Sequence, residues 1–338
     1  MDAHTQQPSN QPSWLDLRSF GKTGLQVSAL GFGAAEIGYT NTSENDVDRM
    51  IGALVESGVN VIDTAAMYGD SEEKIGRALR GRRRHFHLFT KCGRSLPSQR
   101  TALGLLLRAQ RRLRRWAGLV DDYESFDWRP HALEWSIDRS LRRLRTDTID
   151  LIQLHSCSEN ILRKTEVVGV LQRAREAGKV RFLGYSGDGD AAMYAIRSGQ
   201  FDAVQISVNI ADQDAIDTTL CEAARLGMGV IAKRPLANSL WQRTQRPDPE
   251  KYPQYQAYWE RLRQLHYSFL EGNSGLETAL RFTLSVPGVH IAIPGTTNSK
   301  HVLENAAYAA AGRLPKSLFD AIRSRWLQVA EPGWAGQV

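Results

Sequence analysis

The sequence predicts a closed (β/α)8 barrel, on three observations. Short β-branched runs alternate with amphipathic helical patterns eight times over, the order of a parallel sheet built from βα units. Glycine closes helical segments just ahead of the next strand, as in ESGVNVID, EAGKVRFLG and RLGMGVIA. The 338 residues carry no linker-like stretch between two halves, and one such barrel accounts for a chain of that length.

Taken in order, LDLRSFGKTGLQVSAL reads as a short hairpin capping the barrel floor, and residues 1–13 ahead of it as a disordered tail. Residues 14–338 are then one domain. Strands are expected at Val27 to Gly33, Val59 to Asp63, Phe86 to Lys91, Ile149 to His155, Val180 to Ser186, Asp202 to Ser207, Met228 to Lys233 and His290 to Pro294. The intervening helices are expected at Glu44 to Ser57, Glu72 to Arg80, Pro130 to Leu144, Leu162 to Ala177, Ala191 to Ser198, Gln213 to Leu226, Leu276 to Ser285 and Lys300 to Ala311. Two excursions interrupt the spacing. Gly93 to Trp128 follows strand three and contains a basic amphipathic helix at 104–119; Arg234 to Gly275 follows strand seven and holds Trp241, Tyr252, Tyr255, Tyr258 and Trp259. Both are βα loops, which lie at the face of a barrel where sites are built. The alternative is a doubly wound sheet. Its dinucleotide fingerprint is GxGxxG at the first βα turn, whereas this chain reads GFGAAE, with Glu36 in the third glycine position.

Composition narrows the function classes. Hydrophobic residues make up 42%, which excludes disorder throughout, and the 28 Gly and 12 Pro show no period, which excludes collagen-like chains. Lys and Arg number 43 against 37 Asp and Glu, a formal charge of +6. The excess falls in arginine clusters at 80–84, 108–115 and 139–145. The last surrounds an apolar stripe of Trp135, Ile137, Leu141 and Leu144, so a solvated helix face accounts for it and a nucleic-acid partner is not expected. No apolar run nears the roughly 18 residues of a membrane span, and the first residues lack the pattern of a secretory signal, so a cytoplasmic protein is expected. Cys92, Cys157 and Cys221 show neither CxxC nor CxxxH spacing, which argues against a disulfide framework and against a metal site.

Four polar residues fall at the strand ends that face one barrel mouth: Asp63, Tyr68 just beyond it, Lys91 and His155. Each alone has an ordinary reading as a cap, a packed ring, a rim cation or a core histidine. Together they suit proton donation to a carbonyl oxygen while hydride reaches the carbon. A phenol with a reference pKa near 10 is a weak acid, and a nearby ammonium lowers that pKa. Lys91 can supply this field, Asp63 can hold Lys91 charged, and a neutral His155 can hydrogen-bond and orient the carbonyl.

The segments GKTGLQVSALGFGAA, VNVIDTAAMYGDSEEKIGRAL, FTKCG and SLRRLRTDTIDLIQLH resemble successive signatures of the aldo-keto reductase superfamily, over roughly Leu17 to Ala311. The resemblance implies an NADP(H)-dependent oxidoreductase that reduces a small aldehyde or ketone, with Tyr68 as general acid, Lys91 and Asp63 as its tuning pair and His155 as the orienting residue. It also implies a dinucleotide held across the mouth by Gly33, Asp63, Ser186, Gln205, Lys233, Pro235, Leu236, Pro294, Gly295, Thr296, Thr297, Lys300, His301, Glu304 and Asn305. Independently, the loop after strand eight leads into a helix N-terminus, a favoured phosphate position. Two departures concern the nicotinamide: Gly187 stands where many members have Asn, and Lys233 where many have a stacking aromatic. Two more concern the 2'-phosphate: Gly295 and His301 replace a Lys and an Arg whose charge favours it. Lys300 and the threonines remain to favour NADP(H), with NAD(H) the alternative. Met67 and Trp128 are expected to line the substrate pocket. A rival reading is a cofactor-bound sensor or regulatory subunit with little turnover; the intact set of four argues against it.

Overall fold

A computed structural model describes residues 15–95, 125–248, 253–272 and 274–337. The tail expected at 1–13, the basic helix at 104–119 and Tyr252 lie outside them. Strands β1 (Leu17–Ser19) and β2 (Gln26–Ser28) form an antiparallel hairpin. The barrel then takes β3 (Phe32–Gly33), β4 (Val61–Asp63) and β5 (His87–Cys92). Outside it, β6 (Arg94–Ser95) pairs antiparallel with β7 (Ser125–Phe126), at the two ends of the first excursion. The barrel resumes with β8 (Ile149–His155), β9 (Val180–Ser186), β10 (Ala203–Ser207), β11 (Gly229–Lys233) and β12 (Ile291–Ile293).

These eight strands are parallel and neighbour one another in chain order. The seam between β12 and β3 closes through bridges from Leu30 to Ala292 and from Gly33 to Gly295. There the Gly31 amide donates to Ala292 O at 2.8 Å and the Gly33 amide to Pro294 O at 3.0 Å. The expected fold is therefore present.

Inside the barrel, side chains alternate in and out with a period of two. Val61, Phe89, Leu151, Ala203, Ile231 and Ile291 meet Phe20, Leu25 and Val27 of the hairpin in one apolar cluster that plugs the floor. Phe20 stacks on Phe89 at 5.6 Å between ring centres. It also lies against Gly229, where a Cβ would stand 2.6 Å from its ring, so the plug depends on that glycine. A second, larger cluster fills the space between the strands and the surrounding helices.

Several expected boundaries hold to the residue. Ser43 caps the helix Glu44–Ser57 by accepting the Asp46 amide at 3.1 Å, and left-handed Gly58 ends it. Other expectations need correction. The strand expected at Val27 to Gly33 is split, because Ser28 Oγ donates to Leu30 O and the Asn60 side chain takes the Ser28 amide, which bends the chain between hairpin and barrel. The helix expected at Leu162 to Ala177 is two, Glu159–Leu162 and Thr165–Glu176, with extended Lys164 between them. The segment expected at Gln213 to Leu226 breaks at Thr218 into a 3-10 turn and the helix Thr219–Arg225. Among the described residues, three further α-helices lie outside the expected set: Ala35–Tyr39, Pro253–Leu265 within the second excursion, and Lys316–Val329. Among the described residues no helix is long and apolar enough to cross a membrane.

Candidate active site

One step beyond the floor residues, the same alternation turns Asp63, Lys91, Gln153 and His155 into the mouth. Asp63 and Lys91 are buried. Lys91 Nζ lies 2.5 Å from Asp63 Oδ2 and donates to Thr64 O at 2.9 Å, while Gln153 Nε2 donates to Asp63 Oδ1 at 3.1 Å. Both carboxylate oxygens are therefore engaged, as a buried charge requires. Burial pulls the Lys91 pKa down, and the Asp63 carboxylate opposes that.

Tyr68 stands on the loop after β4, which Gly38 holds in place: a Cβ on Gly38 would lie 1.7 Å from Tyr68 O. Lys91 Nζ is 5.2 Å from the centre of the Tyr68 ring. The ring meets His155 edge-on at 5.8 Å and Tyr39 at 5.8 Å. The four expected residues are thus brought together. One electrostatic expectation is corrected. Rather than being lowered by Lys91, the Tyr68 pKa is raised, first by burial and then by the Asp63 carboxylate, with Arg234 and Arg94 pulling the other way. Charges can be read from a sequence, whereas the loss of water around the phenol cannot. His155 is held well below its ordinary pKa by burial and by Lys91, Arg94, Lys233 and Arg234, so its imidazole is neutral.

The expected cofactor residues lie at the ends of β9 to β12 and across the seam. Ser186 Oγ donates to Gln205 Oε1 at 2.7 Å, and Gln205 Nε2 is buried without a hydrogen-bond partner. Gly187 has a local cause: a Cβ there would lie 2.3 Å from Tyr185 Oη, which donates to Cys157 O at 2.8 Å. Lys233 is held at 2.7 Å by Asp188, which also accepts the Ser207 amide at 2.7 Å.

Beyond Lys233 the chain turns through Arg234 in a left-handed conformation, φ 54°. The Arg234 guanidinium donates to Ser207 Oγ at 3.2 Å and to the carbonyl of Gln337. Pro235 O accepts from Thr283, and Leu236 leads into a 3-10 turn. On the far side, Thr296 Oγ1 accepts the Asn298 amide at 3.1 Å and lies 3.2 Å from His301 Nδ1. The N-cap of the helix Ser299–Ala310 is Asn298, which accepts the Lys300 amide. Both threonines are thereby left out of that cap. Thr297, Lys300 and Glu304 are exposed, and Asn305 is buried. Met67 is buried beside Tyr68, and Trp128 packs over Gly93, where a Cβ would stand 1.9 Å from its ring.

The sequence model of the Aldo/keto reductase family matches residues 29–326. The chain belongs to that family. It is 27% identical to L-galactose dehydrogenase of Arabidopsis thaliana over 308 residues, covering 87% of this chain and 88% of the relative. It is 26% identical to D-threo-aldose 1-dehydrogenase of a Pseudomonas species, covering 91% and 94%. In fold it is similar to an aldo-keto reductase of Bacillus halodurans in its holo form, with a TM-score of 0.75 and 24% identity over 92% of this chain and 96% of that one.

Four residues of the mouth were not singled out as site residues from sequence: Gln153, Asp188, Arg234 and Glu36. Gln153 had a signal, since it lies two residues before His155 on one strand face. Asp188 and Arg234 had none, because their partners are distant in the chain. The Glu36 signal was the broken glycine fingerprint.

Proposed function

We propose that this aldo/keto reductase chain reduces a small aldehyde or ketone to the alcohol with NADP(H), Tyr68 delivering the proton. The observation that carries the reading is the buried Lys91–Asp63–Gln153 network beneath Tyr68, with neutral His155 edge-on to the same ring. A structural role alone does not call for an ammonium and a carboxylate buried under a phenol.

The residues fit a nicotinamide dinucleotide. Gln205 Nε2 is a buried donor in need of an acceptor, which a carboxamide oxygen provides. Ser186 and Gln205 would hold the carboxamide. The run from Pro294 to Thr297, with Lys300, His301, Glu304 and Asn305, would hold the adenosine phosphate end. When bound, the nicotinamide supplies the hydride. Tyr68, kept protonated by its surroundings, donates to the carbonyl oxygen as that oxygen becomes more basic than the phenol. The negative charge then left on Tyr68 is met by Lys91, with Arg234 and Arg94 also favouring it. A neutral His155 can donate a second hydrogen bond to the same oxygen and set its orientation.

The direct test is NADPH oxidation over a panel of small aldehydes, begun with hydroxylated ones because the two curated relatives named above are sugar dehydrogenases. Tyr68→Phe should lower turnover by about 10²–10⁴-fold, the usual worth of a general acid, and leave NADPH binding nearly intact. Unchanged turnover in that variant would refute Tyr68 as the donor. A wild-type chain that binds NADPH and reduces nothing in the panel would favour the sensor reading instead.

A further inference from the structure

Glu36 lies in the short helix after β3, and the reaction described above gives its carboxyl group no task. Its Oε2 atom is buried and has no hydrogen-bond partner. It rests against the loop after β12: a Cβ built on Gly295 would stand 2.1 Å from Oε2 and 2.6 Å from Cδ. Any side chain at 295 would therefore push the carboxylate away. Burial raises the pKa of Glu36 itself. Toward the other side, the Tyr68 pKa is pushed up by burial, by Asp63 and also by Glu36, so the Glu36 charge is felt at the phenol. The short helix Ala35–Tyr39 thus touches the loop after β12 through Glu36 and the Tyr68 loop through Gly38 and Tyr39.

A buried acceptor without a donor costs about 1–3 kcal/mol, and such groups call for an explanation. The position of Glu36 selects the donor. On the cofactor reading above, the loop at 295–297 would hold the adenosine phosphate end and Tyr68 would face the nicotinamide end; the Glu36 helix packs on the Tyr68 side, with Tyr39 5.8 Å from that ring and Gly38 against Tyr68 O, which favours the ribose that carries the nicotinamide. Its neighbours do not suit a carboxylate. The diphosphate offers only acceptors and negative charge, and the carboxamide is taken by Ser186 and Gln205. The ribose diol offers two O–H donors.

We propose that Glu36 binds the hydroxyl groups of the nicotinamide ribose, with Gly295 leaving the space that its carboxylate occupies. The assignment is to a part shared by NADPH and NADH, which separates it from the 2'-phosphate contacts expected of Lys300.

The test is calorimetric titration of the full chain with four ligands: NADPH, NADH, 2'-phospho-ADP-ribose, which keeps the second ribose, and adenosine 2',5'-bisphosphate, which lacks it. Glu36→Gln should weaken the first three by a similar factor of about ten, the scale of one hydrogen bond to a charged group, and leave the bisphosphate unchanged. Glu36→Ala, which removes the carboxylate altogether, should give the same pattern. Circular dichroism melting of both variants establishes that they are folded, and Glu36→Asp serves if Glu36→Gln is not. Equal weakening of all four ligands, weakening of NADPH alone, or no change would each overturn the assignment. A wild-type chain that binds none of the dinucleotides would instead remove the cofactor reading on which it rests.

Discussion

On three neighbouring strands, two residues separate the floor of the barrel from its mouth: Val61 from Asp63, Phe89 from Lys91, and Leu151 from Gln153, with His155 two further on. The backbone is the same at both levels, and the chemistry that holds each together differs. At the floor, Phe20, Phe89 and their aliphatic neighbours are held by area removed from water, a non-directional effect that tolerates small changes in shape. At the mouth, Lys91, Asp63 and Gln153 are held by directional contacts, each of which exists because the others do. Losing a group at the floor costs stability in proportion to its size, while losing one at the mouth leaves a charge stranded.

The sharpest way to break this contrast is Lys91→Met. It strands the Asp63 carboxylate in a dry site, so it should cost about 3–5 kcal/mol in urea denaturation and also remove turnover, because the charge opposite Tyr68 is gone. Phe89→Ala is the counterpart. It should cost a similar amount, about 3–5 kcal/mol, while turnover per folded molecule stays close to wild type. If Phe89→Ala abolished turnover in folded protein, floor and mouth would be coupled and the contrast lost.

A gentler probe is pH. His155 is neutral when folded, with a pKa held below its ordinary value, whereas in the unfolded chain it titrates near pH 6.5. Below that pH the unfolded state binds a proton that the folded state refuses. The contribution of His155 is therefore complete above about pH 6.5 and lost as the pH falls toward its folded pKa. Stability measured between pH 7 and pH 5 should decline in the wild type and decline less in His155→Gln; equal slopes would show that another group controls this range. The smallest effect is expected at the exposed rim. Lys300→Ala should weaken NADPH about fivefold, roughly 1 kcal/mol, and leave NADH unchanged; equal weakening of both would remove Lys300 from the 2'-phosphate.

How much of this was legible follows from the range of each interaction. Strands β8 and β9 match their expected bounds to the residue, because each is a run whose pattern is set by its own burial. Asp63, Lys91 and His155 were visible because a polar residue at the end of an apolar strand is a local contrast. The split of the first strand was not, since the bend depends on Asn60, 32 positions from Ser28. Nor was the Arg234 contact with Gln337, which spans 103 positions. The Tyr68 environment departs from the expectation for a related reason: the charges around it are readable in the sequence, but burial needs the whole mouth assembled.

The barrel's closure carries a consequence for its motions. Strand β3 contributes two residues to the sheet, and its seam with β12 holds two bridges, whereas β8 and β9 share six paired positions. A closed ring opens where it is stitched least, so the Gly31 and Gly33 amides should exchange with solvent well before those at the centre of β8. Gly33 and Gly295 lie on opposite sides of that opening. A molecule gripping both would act as a staple, and its arrival would register as slowed exchange along the seam, independent of any chemistry at Tyr68.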